Sequence, residues 1–177
     1  MSASMVAEAL DLPGRWRKRL TVPPKRTALL LSEGAVRSLN PGVYGLSNWP
    51  APAPQVILVD MGQLPFDLQI DAVRAGDGEL VTLQAPLLVS VTDPVRLHQN
   101  WLRHNPGPRW ALPLDEVAGR LHSVAESLTG DYAAADLNQP AVRDNIVRNL
   151  RAPLTAELAR FGLEAASPAI PLSAQSA

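Results

Sequence analysis

Apolar and polar residues alternate through much of the first half of the chain, whereas in the second half the apolar ones return every three or four positions. A period of two marks a strand with one buried face, and a period near 3.6 marks an amphipathic helix. The clearest alternation lies at 66–92, FDLQIDAVRAGDGELVTLQAPLLVSVT. Phe66, Leu68, Ile70 and Ala72 share one phase, against Asp67, Gln69 and Asp71. After Asp77-Gly78, the residues Val81, Leu83, Ala85, Leu87, Val89 and Val91 share a phase, against Thr82, Gln84, Ser90 and Thr92. A two-residue Asp-Gly loop favours a type I′ hairpin, because both positions tolerate positive φ. Such a loop pairs residues whose numbers sum to 155, setting Ile70 beside Ala85, Leu68 beside Leu87 and Phe66 beside Val89. A one-residue slip would turn a whole apolar set into water, at about 1.5–3 kcal/mol per large side chain. Pro86 then requires an edge strand or a bulge, since it lacks an amide for a second neighbour.

Shorter patterns fill in the rest. TALLL at 27–31, Ala35–Leu39 and Val43–Leu46 read as strands, separated by Ser32-Glu33-Gly34 and Asn40-Pro41-Gly42. Val56–Val59 reads as a strand buried on both faces. Asp93-Pro94 is a helix cap followed by proline at the first helical position, and Asn105-Pro106-Gly107-Pro108 ends that helix. Leu114, Val117, Leu121, Val124 and Leu128 define a second helix over 114–129, closed by Gly130. The stripe covers little more than two heptads, so it reads as packing on the domain's own sheet, not as a coiled-coil seam. Val142, Ile146, Leu150, Leu154 and Leu158 define a third helix from Pro140, which Pro153 should kink or divide. Leu163–Ile170 follows as one further strand.

The 177 residues, 46% of them hydrophobic, suit one domain with its own core. Absence of cysteine removes disulfides and thiolate metal sites. The opening MSASMVAEALDLPG lacks the basic and apolar regions of a secretory signal, and no stretch approaches the roughly 20 apolar residues of a membrane span. Arginine outnumbers lysine fourteen to two and alanine is abundant, a composition that points to a GC-rich bacterial source. Net charge is −1, unevenly spread: residues 1–26 hold six cations against Glu8 and Asp11, and the remainder holds ten against fifteen acids. A head of +4 on a body of −5 is expected to meet something anionic.

The search for chemistry yields little. Gly76-Asp77-Gly78 lacks a third glycine and sits between two strands, so it reads as a turn and not a phosphate loop. His98, His104 and His122 have no zinc-like spacing, and His98 and His104 flank Trp101 as surface or partly buried polar groups. Asp67 and Asp71 share a polar strand phase, which reads as a solvated face before an acid–base pair. Asp115 and Glu116 suit the first turn of their helix. No catalytic, cofactor or metal residue is assigned. The candidate site is a membrane-surface patch, Arg15, Trp16, Arg17, Lys18 and Arg19, where tryptophan favours the headgroup region and the cations meet anionic lipid. At ~1 kcal/mol per cation near the surface, the six cations of the head give at most ~6 kcal/mol, so binding should be weak and salt-sensitive. Nucleic acid is attracted by the same charges, but the acidic body and the lack of an aromatic-basic platform argue against it.

The ordered motifs Val22-Pro23-Pro24, Pro41-Gly42-Val43-Tyr44, Ala75 to Val81, Leu87 to Pro94, Arg148-Asn149-Leu150 and Phe161-Gly162-Leu163 resemble the SPFH (band 7) domain of stomatins, prohibitins and flotillins. Each motif is weak alone; the ordered set spans about 20–170. The resemblance implies an α+β fold, a mostly antiparallel twisted sheet with two or three helices packed on one face. It divides the chain into a basic segment at 1–19, the domain at 20–170 and a tail at 171–177. It also implies a scaffold without catalytic residues of its own, self-associating, cytoplasmic and peripheral at the inner face of a membrane, with membrane proteins or proteases as partners. Family members usually add a membrane hairpin and a long coiled coil, and neither pattern is expected in these residues. The shoulder region of the major vault protein resembles the same fold, which keeps open a second expectation: a soluble interaction module or shell component not bound to membrane.

Overall fold

The computed structural model describes residues 4–10, 19–32, 35–45, 55–166 and 169–176. In chain order these form β1 (Met5–Leu10), β2 (Arg19–Val22), β3 (Arg26–Ser32), β4 (Ala35–Leu39), β5 (Gly42–Gly45), β6 (Gln55–Asp60), β7 (Gln63–Arg74) and β8 (Leu80–Val91). There follow α1 (Pro94–Asn100), β9 (Arg109–Ala111), α2 (Leu114–Thr129), α3 (Pro140–Arg160), β10 (Leu163–Ala165) and β11 (Ser173–Ser176). The fold is the mixed, antiparallel α+β one expected, with its strands distributed over separate sheets. The chain falls into two units, Met1–Leu64 with Ser90–Leu112 and Phe161–Leu163, and Pro65–Val89 with Pro113–Arg160 and Glu164–Ala177. It passes from one to the other five times.

The first unit is built on a five-stranded sheet in the order β4-β3-β6-β1-β9. As its unbroken apolar run implies, β6 is covered on both faces: Val56, Ile57, Leu58 and Val59 are all buried. Cross-strand partners share a face, so Ala28, Leu30, Val56 and Leu58 line one side together, with Leu10 and Leu39 at its margins. The two-stranded ribbon β2–β5 lies over that side and contributes Leu20, Val22 and Tyr44. The helix α1 packs against β3 and β4. Residues 5–10, placed by the sequence within a basic leading segment, supply β1 between β6 and β9.

Two sequence motifs meet in this unit. Asp93 caps α1, its carboxylate accepting from the Arg96 amide (2.9 Å), with Pro94 opening the helix. Gly162 sits at φ +69, a conformation glycine adopts without penalty. Its carbonyl accepts from the amides of Thr92 (2.9 Å) and Asp93 (3.1 Å) and from the Thr92 hydroxyl (3.3 Å). Next to it the Phe161 ring meets Trp101 edge to face, centroids 6.2 Å apart at 87°.

In the second unit β8 pairs with β7, β10 and β11. The apolar phase is buried as patterned (Phe66, Leu68, Ile70, Val81, Leu83, Ala85, Leu87 and Val89), but the turn differs from the one expected. Gly78 at φ +86 donates to the Ala75 carbonyl, and the Ala75 amide to the Glu79 carbonyl, both at 2.9 Å. The loop therefore has three residues, 76–78, and number pairs at its base sum to 154. Left uncorrected, that register would set Ile70 opposite Gln84. The strand restores its phase at Ala72, whose φ is +54: Ala72 turns out, Val73 takes its buried place, and the Thr82 hydroxyl bonds Asp71 (2.9 Å). One extra residue in the loop and one in the strand, both on the β7 side, together return the apolar set to one face. They shift the expected pairing by two positions, away from Ile70 beside Ala85, as the Asp71–Thr82 bond marks.

The three-residue loop is selected by tertiary contacts. Asp77 accepts from the amides of Glu79 (3.1 Å) and Ala134 (3.0 Å), and Gly76 donates to the Tyr132 carbonyl (2.7 Å). Pro86 implies an edge strand or a bulge, and β8 is not an edge but central. Its missing amide is accommodated because β11 pairs with 81–84 and the Ala166 amide bonds Leu88 (2.7 Å), leaving Pro86 between the two neighbours. Of the expected strand 163–170, Leu163–Ala165 forms β10, and β11 (Ser173–Ser176) lies beyond it, in residues expected to be a tail. In α2 the buried stripe is Val117, Leu121, Ala125 and Thr129, and in α3 it is Ile146, Leu150, Leu154 and Leu158; the two helices pack on each other. α3 runs through Pro153 without division. Thr129 bonds the Arg74 carbonyl (2.8 Å), and Asn138 bonds the Ala174 backbone twice (2.8 and 3.0 Å), tying helices to strands.

Candidate interaction surface

Arg15, Trp16, Arg17 and Lys18 lie outside the described residues. Arg19, the last of the cluster, opens β2 and is exposed. The alternation of β2 buries Leu20 and Val22 and turns Arg19 and Thr21 outward. Their partners across the ribbon are Gly45 and Val43, so Arg19, Thr21 and Val43 share the outer face. Val43 is 63% exposed, more than any other large apolar side chain described. The sequence offered one signal for it: in a short strand whose Tyr44 packs inward, its neighbour must point out.

The units differ sharply in charge. Among the described residues the first carries seven cations against three acids, and the second six against twelve. In the first, Glu8 pairs with Arg26 beside Asp60, around a cavity of about 30 Å3 lined in part by Met5 and Leu58, too small for an organic ligand. Arg19, Lys25 and Arg37 are exposed. In the second, Asp67 and Asp71 are exposed on β7, and hydrogen bonds from Gln69 and Thr82 hold the Asp71 carboxyl below its ordinary pKa. A carboxylate so stabilised is ionised at neutral pH and a poor general base. Backbone bonds from Ala134 and Glu79 lower Asp77 likewise.

His98 is buried in α1, and its Nδ1 has no hydrogen-bond partner among the described residues. Burial, and next the Arg103 charge, lower its pKa. His104 is exposed and His122 half-buried on α2, where it faces Glu126 at 3.9 Å. Among the described residues no group of three or more His, Cys, Asp or Glu could hold a metal ion, and no helix is long and apolar enough to cross a membrane. An open depression of about 350 Å3 on α3 is lined by Asp144, Val147, Arg148 and Arg151. The perturbed groups Asp71, Asp77 and His98 line neither this depression nor the small cavity, so nothing in either has the convergence a reaction site requires.

Among curated proteins none matches the chain. The family model described as SPFH domain / Band 7 family matches residues 20–170, from Leu20 of the ribbon to a point between β10 and β11. With that match over most of its length, the chain belongs to the SPFH domain / Band 7 family, a family of scaffold-type, membrane-associated domains.

Proposed function

We propose that this protein is a non-enzymatic scaffold of the SPFH type, which self-associates and lies peripherally on an anionic membrane surface at the cytoplasmic side. The observation that carries the reading is the outer face of the β2–β5 ribbon. There Val43 stands exposed in a unit with a surplus of cations, and β2 follows directly on Arg15-Trp16-Arg17-Lys18 in the sequence. An apolar side chain among cations suits the boundary between headgroups and acyl chains, with Trp16 adding a group that favours the same depth. The scaffold acts by recognition: lipid on the ribbon side, other copies and membrane proteins or proteases elsewhere.

Flotation with vesicles of phosphatidylcholine and phosphatidylserine tests this. The chain should float in low salt, less in high salt, and not with neutral vesicles. Replacing Arg15, Arg17, Lys18 and Arg19 by Ser should abolish flotation, and Val43→Ser should weaken it. A chain that never floats yet forms large species by light scattering would instead be a soluble shell component like the vault shoulder.

A further inference from the structure

Two sheet edges among the described residues, β4 and β7, are unpaired and carry opposite charge. Among the described residues no strand pairs with the outer side of β4, at one end of the five-stranded sheet, or with the side of β7 away from β8. Neither β4 nor the 66–71 stretch of β7 makes a backbone hydrogen bond to a loop or helix among the described residues; α2 bonds to β7 only beyond the Ala72 kink, where Thr129 bonds the Arg74 carbonyl. An unpaired ladder invites a strand from another chain unless something blunts it. On β7 the regular stretch runs from Phe66, just after Pro65, to Asp71, just before the Ala72 kink, and its open face carries Asp67, Gln69 and Asp71. On β4 the exposed charge is Arg37.

We infer that copies of this chain join edge to edge, β4 of one pairing with β7 of the next; this rests on the self-association proposed above and names its surfaces. Charge selects this combination over the two symmetric ones. Two β7 edges paired antiparallel about Gln69 would bring Asp67 of each against Asp71 of the other. Two β4 edges paired about Arg37 would bring that cation against its twin. Like charges directly across a ladder destabilise it, and opposite ones stabilise it. With Arg37 of one copy opposite Gln69 of the next, its guanidinium lies between Asp67 and Asp71, within diagonal reach of both. The surplus of cations in the unit bearing β4 and of acids in the unit bearing β7 steers the same approach. Because the joined edges differ, each copy keeps one of each kind free, and growth continues until a ring closes or a filament forms.

Sedimentation velocity over a concentration series, in about 0.1 M and about 1 M salt, tests the inference. The wild-type chain should associate, more weakly at high salt. Arg37→Glu alone, and Asp67→Arg with Asp71→Arg, should each weaken association about tenfold. Asp67→Arg alone serves as a second acid-side variant that leaves the bonds of Asp71 to Gln69 and Thr82 intact. An equimolar mixture of the Arg37→Glu and Asp67→Arg/Asp71→Arg chains should recover association as a mixed species, because the first retains its acidic edge and the second its basic one. Association indifferent to both variants, or a mixture no better than its components, overturns the edge pairing and leaves the scaffold standing. A wild-type chain that stays single at every concentration, with and without phosphatidylserine vesicles, overturns both.

Discussion

Replacing Gly162 by alanine should be among the most damaging single substitutions in the chain. At φ +69 an L-residue costs roughly 1 kcal/mol over glycine. A Cβ there would overlap the Asp93 carbonyl oxygen outright and stand 3.0 Å from its carbon and 3.1 Å from the Asp93 Cβ, all parts of a helix cap with little freedom to yield. Relief requires the two segments to separate, which sacrifices the amide bonds from Thr92 and Asp93 to the Gly162 carbonyl, about 1 kcal/mol each. The loss is therefore about 3 kcal/mol, against a total of roughly 5–15 kcal/mol for a domain. Urea unfolding followed by tryptophan emission measures it, and Trp101, edge-on to Phe161, should report the change directly. Gly78→Ala is the matched control: φ is +86, but nothing lies within 4 Å of an added Cβ, so only the conformational cost of about 1 kcal/mol remains. Equal destabilisation of the two variants would refute the tie between Gly162 and Asp93.

Other outcomes follow from local geometry. Asp77 has a folded-state pKa below the ordinary 3.8, because Ala134 and then Glu79 donate to it. The unfolded chain takes up that proton first, so the stability Asp77 lends is complete above 3.8 and declines as pH falls through its lower folded value. Melting temperatures between pH 5 and 3 should fall less steeply in Asp77→Asn. His98, its pKa lowered by burial and then by Arg103, acts at higher pH: stability is complete above the ordinary 6.5 and declines as acid protonates the unfolded chain first. His98→Phe should flatten the stability profile between pH 7 and 5. Gly119 is exposed inside α2 with nothing within 4 Å of an added Cβ, so Gly119→Ala should stabilise by about 0.5–1 kcal/mol in urea unfolding.

The phase of the long hairpin was legible because burying one set of side chains outweighs any local preference. The length of its turn was not, because that depends on Tyr132 and Ala134, more than fifty residues away, receiving Gly76 and Asp77. A one-residue error at the turn went with a one-residue kink at Ala72, and only the sum of the two shows in an alternation pattern. MVAEAL at 5–10 has no clear period and residues that favour helix, so its place between two other strands comes from the sheet, not from propensity. Asp93-Pro94 and Phe161-Gly162-Leu163 could each be picked out, but their meeting joins positions with no sequence relation. Of the candidate lipid-facing cluster, Arg19 is described and exposed; Val43 and Arg37 emerge only when register and edges are known.

Five passages of the chain between its units mean that neither half corresponds to a stretch that can be excised. Cutting at 64/65 or 112/113 would leave each fragment with strands lacking their neighbours, so limited proteolysis should release no autonomous core and the halves should melt together. Ribosomal synthesis meets the same constraint. The carbonyl that secures the cap at Asp93 belongs to residue 162, so an emerging chain must wait for that residue, about seventy positions later, before the first-made sheet can be locked.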